Sequence, residues 1–186
     1  MKKKYPVIGL TGAAGSGKDS VAEIICEQYR FIRLGFADSI YEMASIIART
    51  PVHVLQKREG KEVILERLGV SSRRLLQTLG TEWGRILINE NLWVNHLDDE
   101  LKSIESRLGL NGLVISDVRF QNEVDFVHNM GGEVWRVGRP NNPYVIGSQH
   151  ESEKFEFEVD DVVVNSGTLH DLRAAVMSTM NGFFGV

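Results

Sequence analysis

Nine consecutive residues constrain this chain more than any others: Gly12, Ala13, Ala14, Gly15, Ser16, Gly17, Lys18, Asp19 and Ser20. A short apolar stretch, residues 5 to 11, precedes them and reads as a strand covered on both faces in a parallel sheet. Val21, Ile24 and Ile25 follow at helical spacing, up to about Tyr29. Strand, glycine turn and helix in that order make a cradle for phosphate. Several backbone N–H groups must converge on the anion, glycines reach the φ values this needs, and the helix N-terminus adds partial positive charge. Lys18 is placed to reach β- and γ-phosphates and to follow a transferring group. A plain glycine-rich βα turn with an exposed lysine is the bland alternative, but it leaves the joint spacing of glycines, lysine and hydroxyl without a reason.

The rest of the chain alternates strands and helices. Residues 31 to 36, 113 to 117, 133 to 138 and 161 to 164 read as strands. Helices are expected over 38 to 48, 71 to 89, 92 to 108, 120 to 130 and 168 to 180, with Asp38 or Ser39, and Ser71 or Ser72, as caps for the first two. Gly131 and Gly132 should close the helix before them. This order predicts an α/β chain: a mostly parallel five-stranded sheet flanked by helices, the three-layer fold of P-loop NTPases. We read one domain over 1–186, with a helical, acceptor-binding insertion at about 38–108 and a lid-like loop at about 139–155. Within that insertion, residues 51 to 69 turn charged and read as an exposed helical segment.

Composition removes several classes of function. With 186 residues, 42% of them hydrophobic, the chain can bury one proper core. A net charge of -4 supplies no general field toward nucleic acid or anionic lipid, so neither is expected as a partner. The lone Cys26 excludes an internal disulfide, suits a cytoplasmic location and is expected to pack in the core. Lys2, Lys3 and Lys4 resemble the start of a secretory leader, yet the apolar run behind them is too short for one. No segment approaches the roughly 18 apolar residues of a spanning helix.

Other polar residues gather at strand ends and on one helix face. Asp117 ends an apolar strand, where a carboxylate can hold Mg²⁺ or orient a nucleophile, or else cap the helix that follows. Arg119, two residues on, can form a bidentate pair with a phosphate. Asp38 also follows a strand and could meet a sugar hydroxyl, act on a metal or cap its helix. At 100° per residue, Arg74, Gln77, Thr81 and Arg85 fall within about 80°, opposite Leu75, Leu76, Leu79, Trp83, Ile86 and Leu87. The polar side is either simply solvated or holds a second phosphate and a base. Arg136 and Arg139 border the loop at 139–155 and could close over phosphates as charge stabilisers. His150 and Glu151 lack zinc-site spacing, the other histidines are scattered, and Trp83, Trp93 and Trp135 sit in apolar patterns expected to be core.

These motifs together give a resemblance. LTGAAGSGKDSVA (10–22), GFADS (35–39), RLLQTLGTEWGR (74–85), VISDVRFQNE (114–123), HESE (150–153) and VNSGTLHDL (164–172) resemble, in order, segments of bacteriophage deoxynucleoside monophosphate kinases. The hydroxyl displaced by Asp19 to Ser20 is likewise similar to the Gly-Lys-x-Thr/Ser variant of nucleoside monophosphate kinases. The resemblance implies transfer of the γ-phosphoryl of ATP to a deoxynucleoside 5′-monophosphate with Mg²⁺. Gly12 through Ser20 would hold the donor phosphates, with Asn165, Gly167 and Thr168 against the adenine. Asp38, Arg74, Gln77, Thr81, Arg85, Asp117, Arg119 and Glu123 would surround the acceptor. Lys18, Asp38, Asp117, Arg119 and Arg139 would carry catalysis, and Ser20 and Asp117 the metal. Where family members often have Phe-Ala-Asp-Pro-Leu-Lys this chain has Phe-Ala-Asp-Ser-Ile-Tyr, which leaves Arg73 or Lys57 to replace the missing lysine. Dephospho-coenzyme A kinase, which would need a true base such as Asp38, and a nucleotide-binding regulatory module are the alternatives. The helices between 71 and 108 carry enough apolar surface for a homodimer, although a core would use the same residues.

Overall fold

The computed structural model describes residues 3–140 and 157–185. Contacts divide these into two compact units, one formed by Met1–Gly35 with Lys102–Val186 and the other by Phe36–Leu101.

The first unit is built on a five-stranded sheet. Its strands are β1 (Val7–Thr11), β2 (Ile32–Leu34), β5 (Leu113–Ile115), β6 (Glu133–Gly138) and β7 (Asp161–Val164), in the order β2-β5-β1-β6-β7. All four pairings are parallel, which agrees with the expected α/β sheet. β1 is central and wholly buried, and this is why its sequence is an unbroken apolar run rather than an alternating one. Helices α1 (Lys18–Tyr29) and α8 (Leu169–Phe184) join one core cluster with the sheet through Val21, Ile25, Val176 and Met180. Cys26 packs at the edge of this cluster and is partly buried; burial raises its thiol pKa, partly opposed by the charge of Arg33. Helix α7 (Gln121–Asn129) ends at Met130, and Gly131 takes the left-handed conformation (φ 81°) that its expected role required. Near the amino end of the unit, Lys3 and Tyr5 both hydrogen-bond Glu105; burial, and then the bond to and charge of Glu105, raise the pKa of the Tyr5 phenol.

The second unit is mainly helical. It contains α2 (Asp38–Ala48), α3 (Val52–Gln56), α4 (Arg58–Glu62), α5 (Ser72–Gln77), a π-helix (Thr78–Ile88) and most of α6 (Leu92–Glu105). Between α4 and α5 lie two short antiparallel strands, β3 (Ile64–Leu65) and β4 (Val70–Ser71). The charged segment at 51–69, expected to be helical, is instead two single-turn helices and part of a hairpin whose turn uses Gly69 at φ 68°. Ser71 caps α5 as expected, its hydroxyl accepting the Arg74 N–H at 3.2 Å. Neither Asp38 nor Ser39 caps α2: the N-cap position is Ala37, which has no side-chain cap bond.

The largest departure from the sequence reading follows Gln77. The expected single α-helix changes to π-winding for 11 residues, closed at its end by the Asn89 N–H to the Gly84 carbonyl, five residues back, at 3.0 Å. Residues four and five apart then share a face. The side withdrawn from solvent is Gly80, Thr81, Gly84 and Arg85, whereas Ile86 and Leu87 are 66% and 73% exposed. The assignment of Trp83, Ile86 and Leu87 to the core side is thus reversed, because it assumed 100° per residue throughout. Of the three tryptophans, Trp93 and Trp135 are buried as expected and Trp83 is exposed.

Candidate active site

The loop between β1 and α1 has the geometry that its glycines foretell. Gly12, Gly15 and Gly17 have φ of 135°, 74° and 105°, values that side-chain-bearing residues rarely adopt. A Cβ on Gly12 would lie 2.4 Å from the Val137 carbonyl oxygen, and one on Gly17 would lie 2.5 Å from Asn165 Nδ2. Absence of side chains therefore serves both torsion and close approach. The Lys18 ammonium donates to the carbonyls of Gly12 and Ala13 at 2.6 and 3.0 Å, which holds its charge over the loop. Ala14 and Gly15 are exposed, Ala13 is half-exposed, and Ser16 is buried with its hydroxyl against Gly12. Left-handed glycines followed directly by a 12-residue helix suit the phosphates of a nucleotide.

Asn165, at the end of β7, is buried and fastens this loop from outside. Its Nδ2 donates to the Ser16 carbonyl at 2.9 Å, and its backbone N–H donates to Gly138 O at 2.7 Å. Gly167 lies against the Asp171 carboxylate, where a Cβ would be 2.4 Å from Oδ2. Thr168 caps α8: its hydroxyl accepts the Asp171 N–H at 3.3 Å, while the Asp171 carboxylate accepts the Thr168 N–H at 2.7 Å. Hydrogen bonds from Thr168 lower the pKa of Asp171. In this arrangement these residues shape the loop and the start of α8, contacts the sequence reading did not foresee.

Beside the loop, β5 ends in the turn carrying Ser116 and Asp117, followed by Val118 and Arg119. Asp117 and Arg119 are both half-buried. The cap of α7 comes from the other direction: the Glu123 carboxylate, 3% exposed, accepts the N–H groups of Arg119 at 2.7 Å and Phe120 at 3.2 Å. Arg33 on β2 is a polar residue near this strand end that motif reading missed. Its Nε donates to Ser116 Oγ at 2.8 Å, and its guanidinium is 3.7 Å from the Asp19 carboxylate. The parallel register of β2 with β5 brings Arg33 to Ser116, and that register is not written in either strand. Arg136 donates to Phe157 O at 3.2 Å, and Arg139 is exposed just past β6. The remainder of the expected lid, with His150 and Glu151, lies outside the described residues.

Among the described residues, no three His, Cys, Asp or Glu side chains cluster to hold a metal by themselves. Mg²⁺ bound to nucleotide keeps waters and phosphate oxygens and takes only one or two protein ligands. Ser20, half-buried in the first turn of α1, and Asp117 are the residues of this unit that could hold it.

In the helical unit, the expected polar stripe differs along its length. Arg74 is exposed and paired with Glu82 at 2.6 Å, and Gln77 is half-buried. Thr81 and Arg85 are only 7% and 9% exposed, with the Arg85 guanidinium 4.0 Å from Glu90. A buried arginine on a helix that displays isoleucine and leucine is not an ordinary solvated face. Asp38 is half-buried at the first position of α2, and its neighbour Ser39 hydrogen-bonds His96 at 2.6 Å. Arg73 is engaged by Glu62 at 2.7 Å, and Lys57 is exposed.

Comparison with known proteins separates this chain from the many others sharing such a loop. Shikimate kinase from Aquifex aeolicus superposes over 95% of this chain and 96% of its own, with a TM-score of 0.53 and 14% identity, a likeness in fold. A candidate deoxynucleotide monophosphate kinase of Acanthamoeba polyphaga mimivirus is 28% identical, covering 94% of this chain and 96% of its own length. The deoxynucleoside-5′-monophosphate kinase of Escherichia phage T5 is 27% identical, over 79% of this chain and 83% of its own. The sequence profile for deoxynucleotide monophosphate kinase matches residues 43–176. With a P-loop kinase fold and a profile match over most of its length, the chain is a phosphotransferase and belongs to the deoxynucleotide monophosphate kinase family.

Proposed function

We propose that this kinase transfers the γ-phosphoryl group of ATP to a deoxynucleoside 5′-monophosphate, giving ADP and the deoxynucleoside diphosphate. One observation carries the reading: the family match spans residues 43–176 and so excludes the phosphate loop common to unrelated kinases. It covers instead the segments with Arg74, Gln77, Thr81, Arg85, Asp117, Arg119 and Glu123. The burial of Thr81 and Arg85 supports a recognition role for that helix.

In this reading an oxygen of the acceptor phosphate bonds to the γ-phosphorus as the bond to the β-phosphate oxygen breaks, and ADP leaves. That attacking oxygen is already anionic near neutral pH, so positioning and charge neutralisation suffice. Lys18 and the N–H groups of residues 12 to 20 hold the donor phosphates. Arg119, with Arg139, offsets charge on the transferring group; Asp117 and Asp38 orient metal or acceptor; Arg74, Gln77, Thr81 and Arg85 bind the acceptor's phosphate and base. Ser20 and Asp117 would hold Mg²⁺, which when bound would supply further neutralisation of phosphate charge.

The test is ADP formation by the purified chain with each deoxynucleoside monophosphate in turn. Acceptor-dependent turnover is expected, and Lys18→Ala should lower it by roughly a hundred- to a thousandfold. ADP released without acceptor, no turnover with any of them, or phosphorylation of dephospho-coenzyme A in their place would reject the proposal.

A further inference from the structure

The π-winding at Thr78–Ile88 requires an explanation, because π-helical turns hydrogen-bond less well than α-helical ones and usually persist for a single turn. Something beyond the helix backbone must hold this one open. The side chain against it is Trp93 of α6. Its indole N–H donates to the Gly80 carbonyl at 2.8 Å. Its ring lies so close to Gly84 that an added Cβ would be 2.6 Å from Cζ2 and 2.7 Å from Nε1. On the same segment a Cβ at Gly80 would be 3.0 Å from Ile40 Cδ1.

Spacing connects this contact to Arg85. In an α-helix Gly80 and Arg85 would point about 140° apart. Closing i→i+5 stacks them on one side, and the buried set Gly80, Thr81, Gly84 and Arg85 is the result. Return to α-winding would rotate Arg85 away from the face that Trp93 grips.

We infer that Trp93 is a positioning residue for acceptor recognition: by hydrogen-bonding Gly80 and packing on Gly84 it holds the wide turn that fixes Thr81 and Arg85. The inference rests on the reading above, in which those two residues bind the acceptor nucleotide. In sequence Trp93 reads as core, and the Gly-Thr-Glu-Trp-Gly-Arg segment as an acceptor-facing stretch of ordinary α-helix, with no link between the two.

The experiment is steady-state kinetics on the full chain, varying a deoxynucleoside monophosphate at saturating ATP and then the reverse. Trp93→Phe keeps an aromatic ring and removes the donor. Gly80→Ala favours the α-helix without disturbing the indole. Each should raise the acceptor KM roughly three- to tenfold while the ATP KM stays within about twofold. Arg85→Ala, run alongside, should raise the acceptor KM as well. An acceptor KM unchanged in both Trp93→Phe and Gly80→Ala, or one that rises equally with the ATP KM, overturns the inference while leaving the kinase reading intact. A normal acceptor KM in Arg85→Ala overturns the assignment of that arginine and the inference with it.

Discussion

Glycine has opposite uses in the phosphate loop of the sheet unit and in the π-helix of the helical unit. In the sheet unit Gly12 and Gly17 adopt positive φ, and the atoms crowding them are the Val137 carbonyl and the Asn165 amide. In the helical unit Gly80 and Gly84 are absent from the positive-φ residues, and what crowds them are the side chains of Ile40 and Trp93. A loop that binds phosphate through its main chain must have its torsions fixed. A helix that presents side chains needs only its winding fixed, and a ring wedged against it can do that. Substitutions should therefore fail differently: abruptly in the loop, and by degrees in the helix.

The largest effect is expected from Gly12→Ala. Its Cβ meets a sheet carbonyl at 2.4 Å and its φ is strained, so neither neighbour nor torsion can yield cheaply. ATP binding measured by calorimetry should disappear; binding within about threefold of the parent would break the comparison, since a loss of about 1–3 kcal/mol is the least such strain costs. Gly84→Ala comes next. Crowding the Trp93 ring should cost about 1–3 kcal/mol in denaturant unfolding while ATP binding is retained, because the ring can shift where a sheet carbonyl cannot. Loss of ATP binding in this variant would erase the distinction between the units. The smallest effect is at Thr168, where a side chain rather than torsion does the holding within the sheet unit. Thr168→Ala should lose about 1 kcal/mol of stability and Thr168→Ser should recover it. The Asp171 pKa is depressed in the folded chain, so its share of stability is present above the usual carboxylate range and disappears as pH falls through the depressed value. Unfolding midpoints of parent and Thr168→Ala should accordingly converge in acid.

Much of the sheet unit was readable beforehand. β6 and β7 have the expected bounds because each is a valine-bearing segment closed by glycine or asparagine, and the phosphate loop is written in nine adjacent residues. The helical unit was read less well. β3 and β4 are two residues each, too short for any periodicity to register. The π-winding was hidden because a hydrophobic pattern is judged against an assumed period, and Trp93 lies 13 residues from the carbonyl it contacts. Arg33 and Asn165 were missed in their present roles for a related reason: Ser116 and Ser16, their partners, are distant in sequence.

Asn165 reaches Ser16 across 149 residues, and this has a consequence for the order of events during synthesis. The phosphate loop leaves the ribosome well before the strand carrying its tether. Contacts with such separation form late in folding, since the intervening chain must first be ordered. A nascent chain that stops short of Asn165 would carry every glycine of the loop and lack its outer brace. Nucleotide affinity in a series of stalled chains should then rise as residue 165 emerges, making ATP itself a reporter of when the brace is in place.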